Sequence, residues 1–273
     1  MHTFLRFPGF KDKAMTLSYD DGVIYDKRLV EIMQKYGLKG TFNLNGGVMV
    51  DNGRRMDENA LVETFRDSGM EVAMHGFRHL MVTACPKTDL IGEFYQDKLR
   101  LESVFGTVMR GGAYAYGAYN DETVDILRSL GVEYFRTTKS TGSFALPTDW
   151  LRLNPTTHHN GNLPELFRAF VEPRPDNRPY LMGPRLFYLW GHSYEFDKNN
   201  NWDHIENICK RLSGDEQVWF ATNIEICDYV EAYKRLKFSA NGHRVYNPTL
   251  YTIWIDVDSK LYSIPSGETI VIE

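Results

Sequence analysis

Three places in the 273-residue chain hold residue types that do chemistry when they meet: Asp20-Asp21-Gly22, His75-Gly76-Phe77-Arg78-His79 and His192. Adjacent carboxylates at the end of a strand cannot both point the same way. One can bind a cation while the other faces water or a substrate, although Asp-Asp-Gly alone is also a common surface turn. Two imidazoles four residues apart can share a metal if the segment turns helically. Gly76 sits where the His-Glu-x-x-His zinc hydrolases carry their base, and glycine is a poor helix-interior residue, so that enzyme class is disfavoured. One Asp oxygen with two imidazole nitrogens is a three-ligand set that leaves positions open for water and substrate, as catalytic metal sites do. Such a metal brings the pKa of bound water to about 7 and polarises a carbonyl. A hydrolase then needs only a base, which the second Asp supplies, and an acid for the leaving nitrogen.

These residues must be carried to one place by the elements around them. Short β-type runs at 14–19, 40–45, 71–75, 108–113, 134–138, 151–157, 186–192 and 218–222 alternate with helical patterns at 26–36, 57–68, 87–104, 121–130, 162–170, 201–212 and 224–236. Asp57 is placed to cap the 57–68 helix, and Gly37, Gly69 and Gly131 follow the last apolar positions of the helices at 26–36, 57–68 and 121–130. Seven or eight βα units predict an α/β barrel with a parallel sheet. Strand C-termini open on one face of such a barrel, and Asp20-Asp21, His75 and His192 all fall at strand ends. We expect a barrel over 1–239. Residues 240–273 read as a small β-rich extension, with turns at 258–260 and 265–267.

Composition narrows the function classes. A net charge of −5 and no Lys/Arg cluster argue against nucleic-acid binding. No stretch approaches about 18 apolar residues, so no membrane partner is expected. Cys85, Cys209 and Cys227 are too few and too irregular for a disulfide framework or a cysteine zinc site. With no apolar h-region in residues 1–10, a cytoplasmic protein is expected.

Together the motifs resemble those of the polysaccharide deacetylases of the NodB-homology type, carbohydrate esterase family 4. Leu17-Ser18-Tyr19-Asp20-Asp21-Gly22 is similar to that family's Thr-Phe-Asp-Asp-Gly. His75–His79 is similar to its His-Ser/Thr-x-x-His, with Gly76 in place of the hydroxyl residue that braces the loop. Leu189-Trp190-Gly191-His192 is similar to its late Leu-x-x-His. The order and spacing agree over about 13–222, and the resemblance implies a distorted (β/α)7–8 barrel. It implies Asp20 as base, Asp21, His75 and His79 as metal ligands, and His192 as general acid. The metal would be Zn, with Co, Ni, Mn or Fe allowed by ligand type. The family's Arg-x-Pro-Tyr-Gly is kept only as Tyr116-Gly117, so Tyr116 would give the oxyanion N–H while Ala113 stands where the motif has its arginine.

Arg110 and Arg136 are the candidates to replace that arginine, and Arg136 is preferred because it lies near a strand end. The fourth family motif contains Asp-Trp. Asp149-Trp150 is a poor match because it falls in a loop, and Trp150 reads as a packing residue. Trp190, Tyr114 and His159 are candidates to touch the substrate. The implied activity is removal of acetyl groups from an N- or O-acetylated sugar or polysaccharide. Hydrolysis of another non-peptide C–N bond, in a ureide or cyclic imide, and a silent carbohydrate-binding homologue are the alternatives.

Overall fold

A computed structural model describes residues 2–50, 52–172 and 183–273. Eight parallel strands form the central sheet: β2 (Lys13–Asp20), β3 (Gly40–Leu44), β4 (Glu71–Met74), β5 (Gly111–Ala113), β6 (Tyr134–Arg136), β7 (Thr157–His158), β8 (Arg185–Gly191) and β9 (Val218–Phe220). The spatial order is β6-β5-β4-β3-β2-β8-β7. The sheet curls until Leu153, just ahead of β7, makes a parallel bridge to Arg136 in β6. This is the distorted barrel expected from the alternating pattern.

β2 is the hub. One edge pairs with β8 along Lys13–Tyr19, and the other pairs first with β9 and then with β3. Every residue of β2 is buried, as a strand covered on both faces requires. Its C-terminal end, where Asp20 sits, is therefore held by neighbours on both sides.

Helices α1 (Asp26–Lys35), α2 (Glu58–Phe65), α3 (Lys87–Phe105), α4 (Asp121–Ser129), α5 (Leu163–Val171), α6 (Tyr194–Lys198), α7 (Trp202–Leu212) and α8 (Asn223–Lys234) cover the sheet. Asp57 caps α2 through Ala60 N, and Gly37, Gly69 and Gly131 take positive φ, as expected for helix ends. On α1, Leu29, Val30, Ile32 and Met33 face the core. Burying each such side chain contributes about 1.5–3 kcal/mol. No helix among the described residues is long and apolar enough to cross a membrane.

Two expected strands change. Of 151–157 only Thr157 joins a strand and Leu153 makes a lone bridge, because Trp150–Arg152 forms a 3-10 turn with the Asp149 carboxylate accepting from Leu151 N. Pro155 has no N–H to offer a ladder. The strand expected at 108–113 shortens to β5, since Met109 N donates to Glu102 rather than to a neighbouring strand.

The remaining strands are β1 (Thr3–Arg6), β10 (Lys237–Phe238), β11 (Arg244–Tyr246), β12 (Ile253–Val257), β13 (Lys260–Ile264) and β14 (Thr269–Val271). They form two antiparallel sheets, β1-β12-β13 and β10-β11-β14. The N-terminal strand thus pairs with the C-terminal segment, and Leu5, Ile253, Ile255 and Ile264 pack with Ile226, Tyr229 and Val230 of α8.

Candidate active site

A pocket of about 640 Å³ opens at the C-terminal ends of the strands, lined among others by Asp20, Asp21, His75, His79, Tyr116 and His192. The two carboxylates part because the chain leaves β2 in left-handed conformations, φ +89° at Asp21 and +65° at Gly22. Asp20 turns inward: Arg136 Nη2 donates to its Oδ2, and Asn43 Nδ2 donates to its Oδ1 at 2.8 Å. Asp21 turns toward the imidazoles. Its Oδ1 lies 3.8 Å from His75 Nε2 and 3.4 Å from His79 Nε2, buried and without a hydrogen-bond partner.

The tautomer of His75 follows from its surroundings. Nδ1 lies 2.9 Å from the Ala113 carbonyl, which can only accept, so Nδ1 carries a proton and Nε2 is the ring nitrogen turned to the carboxylates. Burial and the neighbouring His75 hold His79 well below the ordinary imidazole value, which keeps it neutral. A buried carboxylate oxygen that accepts no hydrogen bond, beside two imidazole nitrogens, fits a divalent cation. The three ligand atoms lie within 4.8 Å of one another.

The loop carrying His75 and His79 is braced from α3, a role that the sequence reading did not assign. Asp97 accepts from the backbone N–H groups of Gly46 (2.7 Å), His75 (3.0 Å) and Gly76 (2.8 Å). Glu93 Oε1 accepts from Arg78 N and Leu80 N. Gly76 has φ +84°, and a Cβ there would stand 2.9 Å from Glu93 Oε1. The absent hydroxyl of the motif is thus replaced by two carboxylates one helical turn apart. Asn45 completes the clamp by donating to the carbonyls of His75 and Gly76.

Arg136, at the end of β6, is the arginine that reaches Asp20. It is fully buried, with its guanidinium carbon 4.4 Å from the centre of the Trp190 ring. Arg110 lies at the other end of its strand, held by Glu133 and Asp228. Burial raises the Asp20 carboxyl, and Arg136, helped by His75 and His192, outweighs it and brings the group down to about 2. Asp20 therefore stays ionised.

His192 approaches from β8 with Nε2 4.0 Å from Asp20 Oδ2. Its Nδ1 lies 2.8 Å from Glu195 Oε1, one helical turn on in α6. Burial lowers the His192 pKa, but Glu195, Asp20 and Asp21 outweigh burial and leave it raised. Glu195 also faces His158 Nε2 at 3.4 Å and His159 Nε2 at 3.3 Å. These three groups are close enough to share an ion, yet His158 Nδ1 accepts from Asn160 N at 3.2 Å, which leaves the proton of the neutral ring on Nε2. His158 is then a donor to Glu195 rather than a ligand. The sequence offered one cue to Glu195, an acid three residues after His192.

Tyr116 occupies a left-handed conformation, φ +58°, with its ring 4.5 Å from that of His79. Among the described residues its backbone N–H has no hydrogen-bond acceptor. Trp190 lines the pocket as expected. One expected substrate contact is corrected: His159, just after β7, is sealed from solvent between Tyr19 and Phe196 and does not line the pocket. Tyr114 lines the pocket, with its hydroxyl donating to Leu151 O at 2.8 Å and its ring stacked on Tyr119. Trp150 is a packing residue whose Nε1 donates to Glu231, and Asp149 is occupied by Leu151 N and Arg152.

Residues 8–135 match the family described as polysaccharide deacetylase. A Mycobacterium smegmatis structure solved under the description of polysaccharide deacetylase superposes with a TM-score of 0.64 at 16% identity, over 84% of this chain and 94% of that one. A family 4 carbohydrate esterase from Streptomyces lividans, in complex with acetate, gives 0.52 at 16% identity, over 76% and 91%. A Bacillus anthracis pseudoenzyme of the same family gives 0.51 at 18% identity, over 82% and 68%. At these identities the likeness establishes the fold. No curated protein matches the sequence.

Proposed function

We propose that the chain is a polysaccharide deacetylase of the NodB-homology, carbohydrate esterase family 4 type, as the match over residues 8–135 supports, and that it hydrolyses acetyl groups from N- or O-acetylated sugars. The observation that carries the proposal is the Asp21 Oδ1, which accepts no hydrogen bond, facing two imidazole nitrogens beside a second, arginine-held carboxylate. Asp21, His75 and His79 would hold a divalent metal, Zn by ligand type, with Co, Ni, Mn or Fe as alternatives. When bound, that metal supplies Lewis acidity toward the acetyl carbonyl and lowers the pKa of water.

The chain's own residues account for the proton movements. Asp20, kept ionised by Arg136, takes a proton from the attacking water. The Tyr116 N–H faces the oxygen on which negative charge develops. His192, with Nδ1 anchored on Glu195, delivers a proton from Nε2 to the departing amine or alkoxide. One water is consumed, and acetate and the free amino sugar or alcohol leave. A silent binding protein would need no arginine-held carboxylate beside the ligand set.

The test pairs metal analysis of the purified protein with acetate release from a panel of N- and O-acetylated mono- and oligosaccharides. Asp20→Asn is expected to bind metal at wild-type stoichiometry and to release no acetate. Full activity in that variant, or a protein that binds no divalent metal, overturns the reading.

A further inference from the structure

Two arginines enter the pocket wall side by side, Arg54 and Arg55. The Asn52 side chain fixes their turn, its Oδ1 accepting from both backbone N–H groups at 3.0 and 2.9 Å. The same segment is clamped to the Asp20-Asp21-Gly22 turn by a bridge between Val23 and Arg55. Ile24 N donates to Arg54 O at 3.0 Å, and Met56 N donates to Gly22 O at 3.1 Å. The two side chains then diverge. Arg55 Nη1 reaches Asp21 O at 2.6 Å and Asn45 Oδ1 at 2.9 Å, whereas the Arg54 guanidinium carbon lies 5.0 Å from the centre of the Tyr194 ring.

The charges in the pocket are matched, with Arg54 left over. Asp20 faces Arg136, and Asp21 faces Arg55 at 3.7 Å. Arg54 makes no ion pair among the described residues. Stacking on an aromatic face orders a planar guanidinium while leaving the donors on its edge free. The Tyr194 ring stands 5.1 Å from that of His192, so Arg54 is two ring contacts away from the group that protonates the leaving atom. A sugar whose acetyl group lies at Asp20 and His192 would extend its far side toward this fork. The pocket volume falls within the range of about 300–1,000 Å³ usual for small-molecule sites.

We infer that Arg54 is a specificity-determining residue and that the preferred substrate carries an oxyanion, a carboxylate or phosphate, on the part of the molecule remote from the acetyl group. An arginine fork matches both anions in bidentate geometry. On a chain of net charge −5, an unpaired cation at the pocket wall favours an anionic substrate there. The inference rests on the deacetylase reading for the identity of the cleaved bond, while the charge preference belongs to the pocket itself.

The test uses metal-loaded protein and three probes: N-acetylglucosamine, its 6-phosphate, and its 6-carboxylate, the 2-acetamido uronic acid. Binding is measured by calorimetry in the Asp20→Asn variant, and acetate release in the wild type. At least one anionic probe is expected to bind about tenfold tighter than the neutral sugar, the discrimination one charge-assisted pair supplies. That preference should shrink as salt is raised. Arg54→Ala should collapse the ratio of anionic to neutral kcat/KM through KM, and Arg54→Lys should retain part of it. Which anionic probe wins distinguishes carboxylate from phosphate. Equal binding of charged and neutral probes, or a preference that survives Arg54→Ala, overturns the inference. A charge preference in binding with no acetate release from any probe sinks the deacetylase reading and leaves Arg54 in its role.

Discussion

Arg136 and Asp20 form an ion pair to which solvent has almost no access, the guanidinium coming from the end of β6 and the carboxylate from the end of β2. Sequence places them 116 residues apart. The pair holds Oδ2, the oxygen that Arg136 binds, near 4 Å from both His75 Nε2 and His192 Nε2. Arg136→Ala should therefore lower kcat by about 10²–10⁴, the range associated with loss of a positioned base, while metal content stays at the wild-type level. Removing one partner of a buried pair should also cost about 3–5 kcal/mol of stability, visible as a lower Tm. Unchanged kcat in a folded variant would remove Arg136 from the site.

Glu195 predicts a pH effect. In the proposed mechanism His192 acts as an acid only while protonated, so activity is expected to fall as pH rises through its folded pKa, which Glu195 helps to raise against burial. Glu195→Gln keeps an acceptor for Nδ1–H but removes the negative charge. The alkaline limb of kcat/KM should move to lower pH, with the acid limb in place. An alkaline limb that does not move would show that Glu195 does not govern His192.

The brace beneath the metal loop predicts a coupled loss. Gly76→Ala places a Cβ against Glu93 Oε1 in a left-handed backbone position, and strain of this kind costs about 1–3 kcal/mol. Asp97→Ala strands the buried N–H groups of Gly46 and Gly76, at about 1–3 kcal/mol each, while His75 N keeps the Leu44 carbonyl. In either variant metal affinity should fall about 10–100-fold, as when groups supporting a ligand are lost. Equilibrium dialysis against Zn alongside thermal unfolding checks both. Wild-type metal affinity in a variant with lowered Tm would limit the brace to a structural role.

The local sequence determined the strands and the residues at their ends. β2, β3, β4 and β8 stand where alternating apolar runs stop at polar residues, because burial on a pleated sheet imposes that pattern one element at a time. Asp20, Asp21, His75, His79 and His192 were legible for the same reason: each follows a strand, and a parallel barrel gathers its strand ends on one face. Whether Arg110 or Arg136 serves Asp20 was decided only by the tertiary structure, which puts the two arginines at opposite ends of neighbouring strands. His159 reads as a rim residue in one dimension, yet packing against Tyr19 and Phe196 withdraws it from the pocket. Asp97, Glu93, Glu195 and Arg54 left little trace in the sequence, because their partners lie on other elements or across a turn. A side chain's periodicity records that it is buried or exposed. Its partner is fixed only when separate elements pack and every buried N–H and charge must find a counterpart.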